Sequence, residues 1–393
     1  MSSQFLRSVT AFFSFVAFLF SAINFSSFAL ASESADQLVL FRNSASGVAN
    51  DNISISPYGV NLALALIFPG VKGDAAAELE LLLGEGVDAG KLAESLKIAE
   101  YAKVDSPIKT ATSLWIQQGF NVLPEFTDTA KKNFAAEVSQ VDFQTNSTDA
   151  CKDINDWVDK NTKSKIKKLF DKVDPSSRVI AVSAIYFLAD WVKPFDKNKT
   201  KSEDFTLLNG EKKKVKMMRN PKTGKTFKYG EGLNSQWMEI PYKNKGFSAV
   251  VILPERGIDP ADVIAKLTPE NFDNMIKTLK SKELDVKLPQ FEVEYSTSLK
   301  KPLINAGVQK IFSTNADFSG ITPSKELIVS EVIQKVFIKV DETGTEAAAA
   351  TGITMVTTSL NINLPKEFYV DRPFIFIVKE GNNILFISKI TKP

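Results

Sequence analysis

The apolar and polar positions of this chain change period several times, and each change marks an element. From residue 33 to 47 the spacing predicts a helix. Asn52 to Tyr58 reads as a short strand that ends at Pro57. A helix carrying Val60, Leu62, Ala63, Leu64 and Leu66 follows it. Further helices are predicted over 74–83 and over Glu125–Ala136, the latter with its charge on one face, and a strand over Thr110–Gln117. Asp149–Phe170 carries Ile154, Trp157 and Val158 at helical spacing, which assigns Trp157 to a core face rather than to ligand stacking. Val179–Phe187 is a continuous apolar run of the length expected for a strand buried on both faces.

Strand signals dominate the rest. They cover Val215–Met218, Trp237–Ile240, Ala249–Leu253, Leu284–Leu288 and Glu292–Tyr295, with a helical stretch over Thr297–Ala306. Leu327–Val340 alternates in places through Val329, Val332, Val336, Ile338 and Val340, which predicts a long strand. Phe374–Val378 and Ile384–Ile390 flank a Glu-Gly-Asn-Asn turn and read as a hairpin. The run Lys212-Lys213-Lys214 reads as a solvated guard on an edge strand rather than a polyanion patch. With no repeat and no low-complexity linker, the pattern predicts a single α+β domain with a large sheet, strand-rich towards the C-terminus.

One stretch departs from the pattern. Between Glu346 and Lys366 lie nineteen residues without a charge, in a chain that is 24% charged. Uncharged segments of high β-propensity add as strands to any available sheet edge and are normally selected against. A chain that keeps one buries it or uses its tendency to become a strand. If it becomes one, alternate residues share a face. One face then holds Thr345, Ala347, Ala349, Thr351, Ile353, Met355 and Thr357, and the other Glu346, Ala348, Ala350, Gly352, Thr354 and Val356.

Composition removes several classes of chemistry. The chain of 393 residues has no histidine, so a Ser-His-Asp triad or a His-metal site is excluded. Its single cysteine, Cys151, rules out an intrachain disulfide and reads as a packing or surface residue rather than a nucleophile. A formal charge of +2 with interspersed signs gives no reason to expect nucleic acid. We expect no metal, no cofactor and no catalytic residues. Arg7, the apolar run Val9–Phe20 and Ala29-Leu30-Ala31 before Ser32 predict a signal peptide over residues 1–31 rather than a membrane anchor, and hence a secreted or periplasmic protein with no membrane partner.

About a dozen motifs, in order, resemble the serpin family over residues 36–393. They include Ile55-Ser56-Pro57-Tyr58, Leu123-Pro124-Glu125-Phe126, Ile154-Asn155 with Trp157-Val158, Ala184-Ile185-Tyr186-Phe187 with Trp191, and Leu288-Pro289-Gln290-Phe291. The most diagnostic are Glu342-Thr343-Gly344-Thr345-Glu346-Ala347-Ala348-Ala349-Ala350-Thr351 and Phe368 through Asp371-Arg372-Pro373-Phe374. They are similar to the hinge of the reactive loop and to the C-terminal signature of that family.

The resemblance implies a serpin domain over 32–393, with a central, mostly antiparallel sheet of five strands, further sheets, eight or nine helices and an exposed reactive-centre loop over 342–365. It implies a suicide inhibitor of serine proteases, not an enzyme: the cleaved loop inserts into the sheet and traps the acyl-enzyme. The residue attacked usually lies fourteen positions beyond the hinge glycine, which from Gly344 gives Thr358–Ser359. Threonine there suits a shallow elastase- or subtilisin-like pocket, whereas Met355 or Leu360 as bait would select chymotrypsin-like enzymes. The region beneath the sheet departs from the family. Its usual asparagine, histidine and second serine read here as Ser183, Gln334 and Gly59. A substitute hydrogen-bond cluster of Ser183, Gln334 and Ser56 is expected, since a glutamine amide both donates and accepts, the alternative being that Gln334 only fills space. Lysines after residue 90 are scattered among acidic residues, so no polyanion cofactor is expected. The alternative is a non-inhibitory carrier or storage protein on the same fold. The expected state is a monomer that polymerises when one molecule's loop enters another's sheet.

Overall fold

The computed structural model describes residues 35–45, 50–220, 226–345 and 365–393. The predicted signal peptide lies outside the described residues. So do Glu346, Ala347, Ala348, Ala349, Ala350, Thr351, Met355, Thr358, Ser359 and Leu360.

In chain order the strands are β1 (Ile53–Ile55), β2 (Ile108–Gln117), β3 (Glu137–Val141), β4 (Val179–Phe187), β5 (Ala189–Asp190), β6 (Lys201–Thr206), β7 (Lys212–Arg219), β8 (Thr226–Gly232) and β9 (Ser235–Pro241). They continue with β10 (Phe247–Pro254), β11 (Lys280–Pro289), β12 (Phe291–Ser298), β13 (Val329–Val340), β14 (Gly344–Thr345), β15 (Lys366–Tyr369), β16 (Phe374–Glu380) and β17 (Asn383–Ile390). One sheet has ten strands in the order β1-β17-β16-β10-β9-β8-β11-β7-β6, with β15 beside β11. The other has seven, of which five are longer than two residues: β3-β2-β4-β13, with β12 on the far side of β13. In this second sheet β2 pairs antiparallel with β4, and β12 with β13. β3 pairs parallel with β2, and β4 with β13.

The main core lies between the two sheets and includes the helix Pro57–Ile67, buried at every position but Asn61. Ser56 starts that helix: its hydroxyl accepts from the Gly59 amide at 3.0 Å, and Pro57 fills a first-turn position where no amide donor is needed. A second core covers the other face of the seven-stranded sheet. There the helix Ser147–Asn161 buries Ala150, Cys151, Ile154 and Val158 against Ile180, Val182, Ala184 and Tyr186 of β4. Trp157 packs edge-on to Trp115, with ring centroids 6.1 Å apart, and donates to Glu137. Burial pushes the Cys151 thiol up, away from the thiolate a nucleophile needs.

Two predicted helices differ in extent from the structure. The helix predicted to Phe170 ends at Asn161, because Lys163 and Ser164 take positive φ of 52° and 60° and cannot continue it. The chain then turns back over the sheet, where Asn155 clasps it: its Oδ1 accepts from the Leu169 amide at 2.7 Å and its Nδ2 donates to the Phe170 carbonyl at 3.0 Å. The stretch predicted as helix from Thr297 is strand through Ser298, and the helix spans only Lys300–Asn305. The lysine run lies on β7, with β6 as the edge strand outside it. Pairing of β11 with β7 reaches only Met217–Arg219, so the lysine half of β7 has a sheet neighbour on one side. Ten α-helical segments occur among the described residues, the shortest a single turn at Ile98–Tyr101.

Asn155→Ala removes the clasp and leaves the 169–170 backbone without its partners. We expect a loss of about 1–3 kcal/mol, read as a lower urea midpoint at an unchanged slope.

Candidate functional site

The site is a seam in the seven-stranded sheet and the chain that leaves its upper end. Strands β4 and β13 pair directly and in parallel, from Val329↔Val179 to Phe337↔Tyr186, with one register shift near the lower end between Val329 and Glu331. β4 is buried at every position because core lies on either face, which is why it reads as an unbroken apolar run, and β13 is buried at eight of its twelve.

Beyond Val340 the chain makes a tight turn and comes back along the same line. Asp341 organises it: its Oδ1 accepts from the Thr343 amide at 2.7 Å and the Gly344 amide at 3.2 Å. Two residues then enter the sheet. Thr345 pairs antiparallel with Val340 on one side, while Gly344 and Thr345 pair antiparallel with Asp190 and Ala189 on the other. Gly344 is fixed by contact with the neighbouring backbone. A Cβ there would lie 2.1 Å from the Ala189 carbonyl oxygen and 2.7 Å from the Asp190 Cα.

Backbone, ring and side-chain contacts hold this corner. The amides of Trp191 and Phe195 donate to the carbonyls of Thr343 and Glu342, both at 2.8 Å. The Trp191 ring stacks on Tyr242 at 4.4 Å and 14°. The Tyr242 phenol lies 2.6 Å from Thr345 Oγ1, and burial raises its pKa, keeping it a neutral partner. The Glu342 side chain is buried and accepts from Thr200 and from Gln290 Nε2 at 2.7 Å. The sequence reading included Trp191 and Gln290 as motif members but assigned none of Thr200, Tyr242 and Gln290 a role. Thr200 and Glu342 are 142 positions apart, so no local signal joins them.

Halfway down the seam lie the four residues singled out beneath the sheet. Gln334 pairs with Ser183 across β13 and β4. Its amide bridges Ser56 completely: Oε1 accepts from the Ser56 amide at 2.8 Å, and Nε2 donates to the Ser56 carbonyl at 2.8 Å. The Ser56 hydroxyl donates to the Leu385 carbonyl at 2.6 Å. Ser183 Oγ is buried and makes no hydrogen bond. A Cβ on Gly59 would lie 2.8 Å from both Gln334 Nε2 and Ser183 Oγ. The glycine therefore goes with the glutamine, whose longer side chain uses the space a side chain at 59 would occupy.

Gly344→Ala should lift β14 off β5, seen as faster amide hydrogen exchange at 189–190 and 344–345. Gln334→Ala leaves the buried Ser56 amide without an acceptor, while the Ser56 carbonyl keeps the Val60 amide at 3.0 Å, at a cost of about 1–3 kcal/mol for the unpaired group. The expected readout is a lower unfolding midpoint with faster polymer formation on warming.

The comparisons with known proteins agree with this geometry. The family model described as Serpin (serine protease inhibitor) matches residues 36–393. The chain is 36% identical over 356 residues to the leukocyte elastase inhibitor of Bos taurus, covering 87% of this chain and 93% of that protein. It is 35% identical over 352 residues to Iripin-8 of Ixodes ricinus, covering 86% and 87%. The crystal structure of Serpin48 from the insect Tenebrio molitor superposes with a TM-score of 0.81 at 31% identity, over 91% of this chain and 96% of that one. The chain belongs to the serpin family.

Proposed function

We propose that this protein is an irreversible inhibitor of serine endopeptidases that works by inserting its cleaved loop, over 342–365, between β4 and β13. The observation that carries the reading is the pair Gly344–Thr345, seated in the mouth of a seam that is otherwise closed. Its register fits both walls. Thr345 opposite Val340 and Ala189, counted down pair by pair, brings Thr351 between Gln334 and Ser183, which are already opposite each other. A strand growing from Thr345 therefore needs no slip on either side.

The energetics favour insertion once the loop is cut. Opening the seam breaks one parallel ladder, and filling it makes two antiparallel ones, the more stable kind per residue. The net gain is about one ladder, some ten bonds at roughly 0.5–1.5 kcal/mol each, or on the order of 10 kcal/mol. The uncut state is then held by a kinetic barrier. On this reading the core-facing residues Ala347 and Ala349 lower that barrier, since little side chain has to pass between the strands.

The trapping step runs in the usual order of acyl transfer. The protease serine attacks the Thr358 carbonyl, the Thr358–Ser359 bond breaks, and the fragment from Ser359 leaves with a new amino terminus. The ester to Thr358 remains, and insertion carries it to the foot of the sheet before water reaches it. The length of the seam supports this bond. Val179, the first residue of β4 and its lower end, falls opposite Met355 in the extended register, so a bait at Met355 would leave its acyl carbonyl inside the sheet. Thr358 and Leu360 lie beyond it. The name of the bovine relative, leukocyte elastase inhibitor, supports a shallow-pocket target. Export by cleavage before Ser32 completes the reading, and the mass of the mature chain tests it.

The deciding experiment incubates the protein with elastase, subtilisin, chymotrypsin and trypsin and runs denaturing gels. We expect an SDS-resistant covalent band with elastase or subtilisin and release of a peptide beginning at Ser359. Cleavage without such a band for every protease would overturn the proposal. Thr351→Arg, charged on the core-facing side, should leave cleavage intact and convert the protein into a substrate.

A further inference from the structure

A cavity of about 450 Å³ lies at the foot of the seam, within the size range of sites that hold small molecules. Ile180 of β4 and Ile333 of β13 line one side of it. Phe170, Val173 and Ser177, from the segment that returns from the Ser147–Asn161 helix, line the other. Apart from the Ser177 hydroxyl these side chains offer hydrocarbon, so the occupant they fit has an apolar body.

The charged groups at the cavity do not balance. Lys172 and Asp174 stand together there. Hydrogen bonds from the Ser176 amide and hydroxyl, with the charge of Lys172 adding to them, hold the Asp174 carboxyl below its usual range. Glu331, which also lines the cavity, has no such match. Its Oε2 accepts from the Ser298 hydroxyl, and among the described residues no cation pairs with it. Ser177 is only 3% exposed. Its amide donates to the Asp174 carbonyl at 3.0 Å and its carbonyl accepts from the Arg178 guanidinium at 3.1 Å. Its hydroxyl makes no hydrogen bond among the described residues. A carboxylate without a cation and a buried hydroxyl without a partner, beside hydrocarbon, fit a positively charged donor carried on an apolar chain.

We propose that this cavity binds a small amphipathic amine, with its ammonium on the Glu331 carboxylate and its hydrocarbon over Ile180 and Ile333. The Ser177 hydroxyl is a second polar contact open to it. An anionic head would meet the Glu331 charge uncompensated, because Lys172 is already matched by Asp174. Bound there, the ligand touches both β4 and β13 and adds contacts across the seam of the closed sheet. Binding involves the intact chain and needs no protease, so it stands or falls apart from the inhibitor reading.

The test uses the intact full chain with octylammonium, and with octanoate and octanol as probes of equal length and different charge. Affinity is read by titration calorimetry and by Tm, below the concentration at which any probe aggregates. Wild type should bind octylammonium at a single saturable site, with a rise in Tm that saturates alongside, and should bind the other two about tenfold more weakly. Glu331→Gln, which keeps an acceptor for Ser298, should lose about tenfold in affinity for octylammonium, the loss expected for a hydrogen bond to a charged group. Ile333→Trp, which fills the cavity from a half-buried position, should abolish binding. The Tm of each variant without probe shows that it folds. Equal affinity for octanoate or octanol, undiminished binding in either variant, or no saturable binding in wild type would overturn the proposal.

Discussion

The parallel ladder between β4 and β13 is the constraint on which the rest of the structure depends. Parallel strands in one sheet are normally joined by a crossover that fixes them as neighbours. Here the two strands lie about 150 positions apart in sequence, and each is also held by an antiparallel partner on its outer side, β2 for β4 and β12 for β13. On the proposed function, the sheet parts at this seam into two halves, each keeping its own antiparallel pairing. Among the described residues, no other long pairing in the sheet combines a parallel ladder with paired strands on both flanks.

The features along the seam act at different heights. At the top, Gly344 and Thr345 hold the first rung of a new strand in register, and Glu342, Trp191 and Tyr242 fix the corner from which it would grow. In the middle, Gln334 ties β13 to Ser56 at the start of the buried helix. Ser183 Oγ, across the seam, is buried without a partner in the closed sheet, a cost that a hydroxyl arriving between the strands would relieve. At the foot, a cavity of about 450 Å³ lies between Ile180, Glu331 and Ile333 and the segment through Val173 and Ser177.

Much of this was legible in the sequence because strands announce themselves by period and charge. The uncharged stretch after Glu346, the two faces counted from Thr345 and the long strand ending at Val340 follow from alternation alone. The requirement for glycine at 344 was legible only as a family motif; its cause, the Ala189 carbonyl, is a tertiary contact. The same holds for Gly59, whose missing side chain makes sense only beside Gln334. Helix ends were misread where the stop is conformational, as at Lys163 and Ser164, neither of which is a strong breaker. Short elements such as Gly344–Thr345 and Ala189–Asp190 have no period to detect, yet they define the mouth of the seam.

The most direct test of the account is to lock the seam and ask whether trapping stops. Val182 and Ile333 are opposite each other across β4 and β13 on the helix-covered face. Neighbouring strands lie about 4.8 Å apart, within the Cα separation a disulfide spans. In a Cys151→Ala background, Val182→Cys with Ile333→Cys would join the strands on oxidation. The account predicts that the oxidised protein is cut at its loop without forming a covalent complex, and that reduction restores the complex. An oxidised protein that traps protease as well as the reduced one would contradict it.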